Sequence, residues 1–154
     1  MSTAKNLFNI SCRPISFNDL PSVIRIENSS YEFPWSEKIF QDCISANYIS
    51  RVAIKDYKVV GYVIASILSN ECHVMNLCID KKHREEGLGR YLLQDVMIEL
   101  SRLECDVIFL ECRPSNIKAK NLYESEGFCE VGLRKNYYPV KDGHEDAILY
   151  AKQI

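Results

Sequence analysis

Glu111 directly follows the apolar run Val107-Ile108-Phe109-Leu110, and that placement is the first hint of chemistry in this 154-residue chain. The run is short enough for a buried central strand, which puts the glutamate at the C-terminal strand end, where ligands of open sheets commonly sit. A carboxylate there is partly desolvated. Desolvated carboxylates hold a proton more readily, which suits a general base near neutral pH. The plainer alternative is an ion pair, with Arg113 as a nearby partner, or a solvent-facing strand end. Asn116 and Tyr123 are seven residues apart, or two helical turns, so they share one helix face. An amide and a phenol on that face can bind one extended ligand, and the phenol can donate a proton to a leaving group. A capping asparagine and a core tyrosine are the ordinary alternatives.

A second kind of chemistry is suggested by Arg84-Glu85-Glu86-Gly87-Leu88-Gly89, which lies between an expected strand and an expected helix. Helix N-termini leave backbone N–H groups unpaired and carry partial positive charge, so a pyrophosphate placed there meets several donors at once. Gly87 and Gly89 allow close approach to the backbone, and Lys81, Lys82, His83, Arg84 and Arg90 add cationic side chains nearby. The alternative is a solvated loop whose glycines only make a turn. The segment matches neither the P-loop nor the dinucleotide fingerprint.

Other classes fall away. The three histidines show no metal-ligand spacing, and no metal is expected; His73 is read as facing out of its strand. No serine nucleophile motif is present, which points to direct transfer without a covalent enzyme intermediate. A formal net charge of -2 argues against a duplex-binding protein. The seven cysteines include no pair separated by two residues and fall mostly in apolar runs, as free thiols in a reducing cytosol do. The stretch from Met1 to Ser11 is polar and lacks the apolar region of a signal peptide. No apolar run approaches ~20 residues, so no membrane span is expected. The expected location is cytoplasmic.

These residues need elements to position them, and with 47% apolar residues the chain can bury a core as one domain over 1–154. A first strand is expected at Ser11–Ile15. Asn18 or Asp19 can cap a helix to about Ser29 that buries Leu20, Val23, Ile24 and Ile26. Ser36 can cap a short helix through Ile44, with Pro34 and Trp35 breaking the chain before it and Trp35 serving as a packing anchor. Tyr48–Ile54, Val59–Leu68 and Cys72–Ile79 read as an antiparallel meander with turns near Asp56-Tyr57 and Asn70-Glu71. From Leu88 a helix buries Leu92, Val96, Leu100 and Leu103, with Leu93 and Met97 beside them. The strand Asp106–Cys112 follows, then a helix capped by Ser115 and ended by Gly127. Phe128–Tyr138 and His144–Ala151 close as a hairpin around Asp142-Gly143. This order implies an α+β fold: a mixed, mainly antiparallel sheet with helices on both faces and a local strand–helix–strand crossover.

Taken together, the segments resemble the GNAT superfamily of acetyltransferases over nearly the whole chain. Arg84–Gly89 fits that superfamily's R/Q-x-x-G-x-G/A coenzyme A loop. The resemblance extends to the bacterial ribosomal-protein-alanine N-acetyltransferase (RimI) family. It is carried by Pro34-Trp35-Ser36, Leu110–Asn116, Leu122–Phe128, Arg134–Tyr138 and Gly143–Ala147. The resemblance implies acetyl-CoA as cosubstrate, Glu111 as proton acceptor and Tyr123 as proton donor to the departing thiolate. It implies that Leu77, Cys78 and Ile79 bind the donor through their backbone. Glu85, Glu86, Gly87, Leu88, Gly89 and Arg90 would cradle the pyrophosphate, and Asn116 would contact the pantetheine arm. Glu85 and Glu86 depart from the basic or neutral residues common at these positions; pointing inward, they would weaken donor binding. The implied acceptor is the N-terminal alanine of a small-subunit ribosomal protein, with Trp35, Tyr137 and Tyr138 bordering its groove. Neither nucleic acid nor membrane is an expected partner. The rival readings are an acetyltransferase for lysine or small amines and a non-catalytic coenzyme A-binding sensor.

Overall fold

Short local signals set most element boundaries. The computed structural model describes residues 9–154; the polar stretch read for a signal region lies largely outside them. Strand β1 (Ile10–Pro14) leads into a 3-10 turn, Phe17–Asp19, and then helix α1 (Leu20–Ser30). Asp19 precedes α1, but its carboxylate serves the turn and the strand. It accepts from the Ser16 backbone N–H at 2.8 Å and from both terminal nitrogens of Arg13 at 2.7 and 2.8 Å. Ser36 caps helix α2 (Glu37–Ser45) by accepting from the Ile39 N–H, as its position before an amphipathic run predicts.

Strands β2 (Ile49–Lys55) and β3 (Lys58–Leu68) form an antiparallel hairpin. Its turn residues Asp56 and Tyr57 both have positive φ, at 50° and 66°, the twist that a two-residue hairpin turn requires. Strand β4 (Glu71–Ile79), helix α3 (Leu88–Arg102) and strand β5 (Val107–Cys112) form the expected crossover, with β4 and β5 parallel. Helix α4 (Ile117–Ser125) follows, and β6 (Cys129–Val140) and β7 (Gly143–Gln153) close as an antiparallel hairpin. The seven strands run in the order β1-β2-β3-β4-β5-β7-β6. The mixed, mainly antiparallel sheet is therefore as expected.

The chain divides into two compact units. In the first, which runs through Ala65 and includes Asn76–Val96, Leu20, Val23 and Ile26 of α1 meet Phe40, Cys43, Val52, Tyr62, Ile64 and Cys78. Trp35 packs against this cluster, its ring centroid 5.3 Å from that of Phe40, as a packing anchor should. The second unit comprises Ser66–Met75 and Met97–Ile154. Its buried residues include Ile108, Leu110, Cys112, Tyr123, Phe128, Ile148 and Tyr150. Two further expectations need correction. Leu103 is exposed, because α3 ends at Arg102 and the helical stripe stops there. Ser115 does not cap α4. Asn116 does, accepting from the Ala119 N–H at 3.2 Å, while the Ser115 hydroxyl donates to Glu145 at 2.7 Å.

Candidate active site

Register explains how the second unit builds the surroundings of Glu111. Side chains alternate along a strand, and in β5 Ile108, Leu110 and Cys112 are buried while Val107, Phe109 and Glu111 are only partly so. His73 of β4 pairs with Phe109 of β5 in parallel register. His73 and Glu111 therefore share a sheet face, one pleat apart. The imidazole Nε2 lies 2.8 Å from Oε1 of Glu111 and 2.7 Å from Oε2. Arg134 of β6 brings its Nε to 3.2 Å from Oε1. The β6 ladder slips between Arg134 and Tyr138, where Asn136 has φ of 54° and donates its N–H to Asp146 at 2.9 Å. Such a bulge re-aims side chains. The Glu111 side chain is only 7% exposed, so the His73 hydrogen bond and the Arg134 ion pair offset the cost of removing its charge from water. His73 does not simply face out of its strand, and the partner of Glu111 is not Arg113, which instead pairs with Glu145 at 3.1 Å. The sequence could not supply that pairing, because it depends on strand register.

Tyr123 is buried in the same unit, with its ring centroid 6.0 Å from those of Phe128 and of Tyr150. Tyr150 pairs with Leu110 in the β5–β7 ladder, so Tyr123 packs on the sheet face opposite that of Glu111. The two candidate proton-transfer residues are not in contact; they flank the end of β5 from its two faces. Burial pushes the Tyr123 phenol above its usual range, with Cys112 and Tyr150 adding to the shift, so the group is a phenol throughout the neutral range. Tyr138 is raised by burial first and then by the nearby Glu111 charge, and Tyr123 acts on it as well. Its ring carries the Arg113 guanidinium at 4.3 Å and meets Tyr137 edge-on at 4.9 Å. The Oδ1 of Asn116 is engaged in the cap, which leaves its amide N–H groups for other contacts.

In the first unit, Leu77, Cys78 and Ile79 form the end of β4. Their carbonyls are partly committed. Tyr31 donates its hydroxyl to Leu77 O at 3.4 Å, and Arg84 donates Nε to Ile79 O at 3.0 Å. Arg84 therefore staples the loop to the strand rather than standing ready for a ligand. After a 3-10 turn, Lys81–His83, the chain passes through Glu85 at φ of 65° and Gly87 at φ of 83° into the 15-residue helix α3. A Cβ added at Gly87 would meet nothing within 4 Å. The loop thus presents open backbone at Gly87 beside the N-terminus of a long helix, which suits a pyrophosphate. Glu86 does not oppose this with a bare charge. Lys55 reaches its carboxylate at 2.8 Å and His83 stands at 3.5 Å, and the Lys55 hydrogen bond holds the carboxyl below its usual range.

A buried glutamate escaped the sequence reading. Glu27, 2% exposed, accepts from the Trp35 N–H at 2.9 Å, from the Asn76 amide at 2.9 Å and from the Tyr62 hydroxyl. Its signal was its spacing: four residues after Val23, it lies on the apolar stripe of α1. Among the described residues no group of side chains is set to hold a metal ion.

The chain is similar to known proteins in sequence and in fold. The model of the Acetyltransferase (GNAT) family matches residues 20–128. The chain is 38% identical over 136 residues to the [Ribosomal protein bS18]-alanine N-acetyltransferase of Escherichia coli K12, covering 88% of this chain and 92% of that one. The crystal structure of the ribosomal-protein-S18-alanine N-acetyltransferase from Escherichia coli superimposes with a TM-score of 0.88 at 36% identity, over 94% of both chains. Ard1 from Thermoplasma volcanium, at 23% identity and a TM-score of 0.87 over 95% of this chain and 98% of its own, shares the fold. The extent of the family match and of the sequence identity leads to one assignment: the chain belongs to the acetyltransferase (GNAT) family.

Proposed function

We propose that this protein transfers the acetyl group of acetyl-CoA to the N-terminal alanine of a small-subunit ribosomal protein of the bS18 kind. The likeness to the Escherichia coli enzyme, in sequence and in structure, carries this reading. Residues 1–154 act as one catalytic domain in the cytoplasm, with a protein N-terminus as acceptor and neither nucleic acid nor membrane as a direct partner. Among the described residues no helix is long and apolar enough to cross a membrane.

In this reading the backbone of Glu85–Arg90 takes the pyrophosphate, and the amide N–H groups of Asn116 meet the pantetheine arm. Glu111 removes a proton from the bound ammonium, and the free amine attacks the thioester carbonyl. Backbone N–H groups of Leu77–Ile79 meet the developing oxyanion, where preorganised donors are most effective. The intermediate collapses, and Tyr123 donates a hydrogen bond, then its proton, to the departing sulfur. Reaction beyond the end of β5 explains why the acid and the base can stand on opposite faces of that strand. Acceptor chemistry favours an α-amine. Neutralising one at pH 7 costs about 1 kcal/mol, against roughly 4.5 kcal/mol for lysine, from their reference pKa values.

The test uses two peptides with the bS18 N-terminal sequence and an internal lysine, one with a free alanine terminus and one blocked. Acetyl incorporation should be confined to the free terminus. Equal incorporation into both would replace this reading with lysine acetylation.

A further inference from the structure

We propose that His73 is the positioning residue of the base, and that Oε2 of Glu111 is the oxygen that takes the amine proton. An ionised carboxylate only accepts hydrogen bonds, with about two acceptor directions on each oxygen. To act as a base Glu111 must be ionised, and the Nε2 of His73, facing it at 2.7 and 2.8 Å, then carries the hydrogen that the two oxygens share. Arg134 brings its guanidinium charge to Oε1 alone, with Nε at 3.2 Å, as an ion pair and not as a hydrogen bond. Among the described residues, Oε1 thus faces the shared hydrogen bond and a cation, and Oε2 the shared hydrogen bond alone. The less engaged oxygen is Oε2.

The contact with Nε2 also fixes the torsion of the carboxylate. His73 is in turn held by register, opposite Phe109, with the ring centroids 6.4 Å apart. A free glutamate rotates about its terminal bonds, whereas this one presents one oxygen in one direction. In the proposed step an N–H bond of the substrate ammonium breaks and an Oε2–H bond forms. The electron pair stays on nitrogen, and His73 keeps its own Nε2–H throughout. His73 touches only the base, so it acts by orientation and not as an acid or base itself. The proposal rests on the reading of Glu111 as the base.

The experiment is a double-mutant cycle on the full chain with acetyl-CoA and an alanine-terminated peptide, measuring kcat and both KM values for wild type, His73→Ala, Glu111→Gln and the double variant. His73→Ala should lower kcat by about 10–100-fold, since loss of orientation at a reacting group costs on that scale. The KM for acetyl-CoA should stay within a few fold. In the Glu111→Gln background the same change should cost nothing further, because no carboxylate remains to be oriented. His73 is 35% exposed at its side chain, so added imidazole should restore part of the activity of His73→Ala and none of the double variant. Equal losses in both backgrounds, or an unchanged kcat in His73→Ala, would overturn the proposal while leaving Glu111 as the base. Normal turnover in Glu111→Gln would instead remove the base reading, and the role of His73 with it.

Discussion

Replacing Glu27 with alanine should be among the most damaging single changes to the first unit, and the size of the loss follows from its partners. The carboxylate is 2% exposed and accepts from the Trp35 N–H, the Asn76 amide and the Tyr62 hydroxyl. Burial, reinforced by the neighbouring Cys78 and by Glu27 itself, keeps Tyr62 in its phenol form, so it is a donor here. Alanine leaves these donors without an acceptor. A buried donor stranded in this way costs about 1–3 kcal/mol. Water entering the vacated space recovers part of that, so a net loss of roughly 3–5 kcal/mol is expected for the three donors together. For a chain of this length that corresponds to a fall in Tm on the order of 10 °C. Urea unfolding followed by circular dichroism gives the free energy directly, with an unchanged m-value as the check that two-state behaviour holds. Glu27→Gln keeps one acceptor oxygen but turns an amide toward existing donors, so it should fall between wild type and Glu27→Ala. A loss below about 1 kcal/mol in Glu27→Ala would refute the reasoning, since it would mean the three donors do not depend on this carboxylate.

Gly87→Val should abolish most of the thermal stabilisation given by millimolar acetyl-CoA, because the side chain fills the open space over the loop. A β-branched residue at φ of 83° should also cost the free protein about 1–2 kcal/mol, measured by unfolding without ligand. Tyr123→Phe should reduce turnover by about 10²-fold, the low end for loss of a general acid. A phenol raised by burial is a weak acid, and its loss should leave the shape of the rate–pH curve between pH 6 and 9 unchanged. Asp19→Asn should remove a pH-dependent part of stability. The Arg13 hydrogen bond holds the Asp19 carboxyl below its unfolded value, so its contribution is present above about pH 4 and is lost as pH falls through the folded value. Urea unfolding at pH 7 and pH 3 should show wild type and variant converging at the lower pH.

What was legible before the structure rests on local physics. Ser36 and Gly127 sit where a helix start and a helix end need them, and the Ser36 hydroxyl and the φ of 90° at Gly127 bear this out. The stripe Leu92, Val96 and Leu100 needed only the helical period to be read as buried. Ser115 and Asn116 show where local pattern stops deciding. Both are good caps by type, and the choice between them fell to Glu145, thirty residues away, which takes the Ser115 hydroxyl.

The amino-acid sequence by itself determined the α+β element order, the glycine-bearing loop before α3 and the placement of a glutamate at the end of a buried strand. Each of these follows from composition and period over a few neighbouring residues. Only the tertiary structure decided which groups address that glutamate. His73 lies 38 residues before it and reaches it through the parallel register of β4 on β5. Arg134 arrives on β6 beside a slipped ladder. Glu27 is enclosed only once the first unit folds around it. These contacts depend on strand pairing and burial between distant segments, which local pattern does not encode, because a shift of one residue in register would turn each side chain to the opposite face.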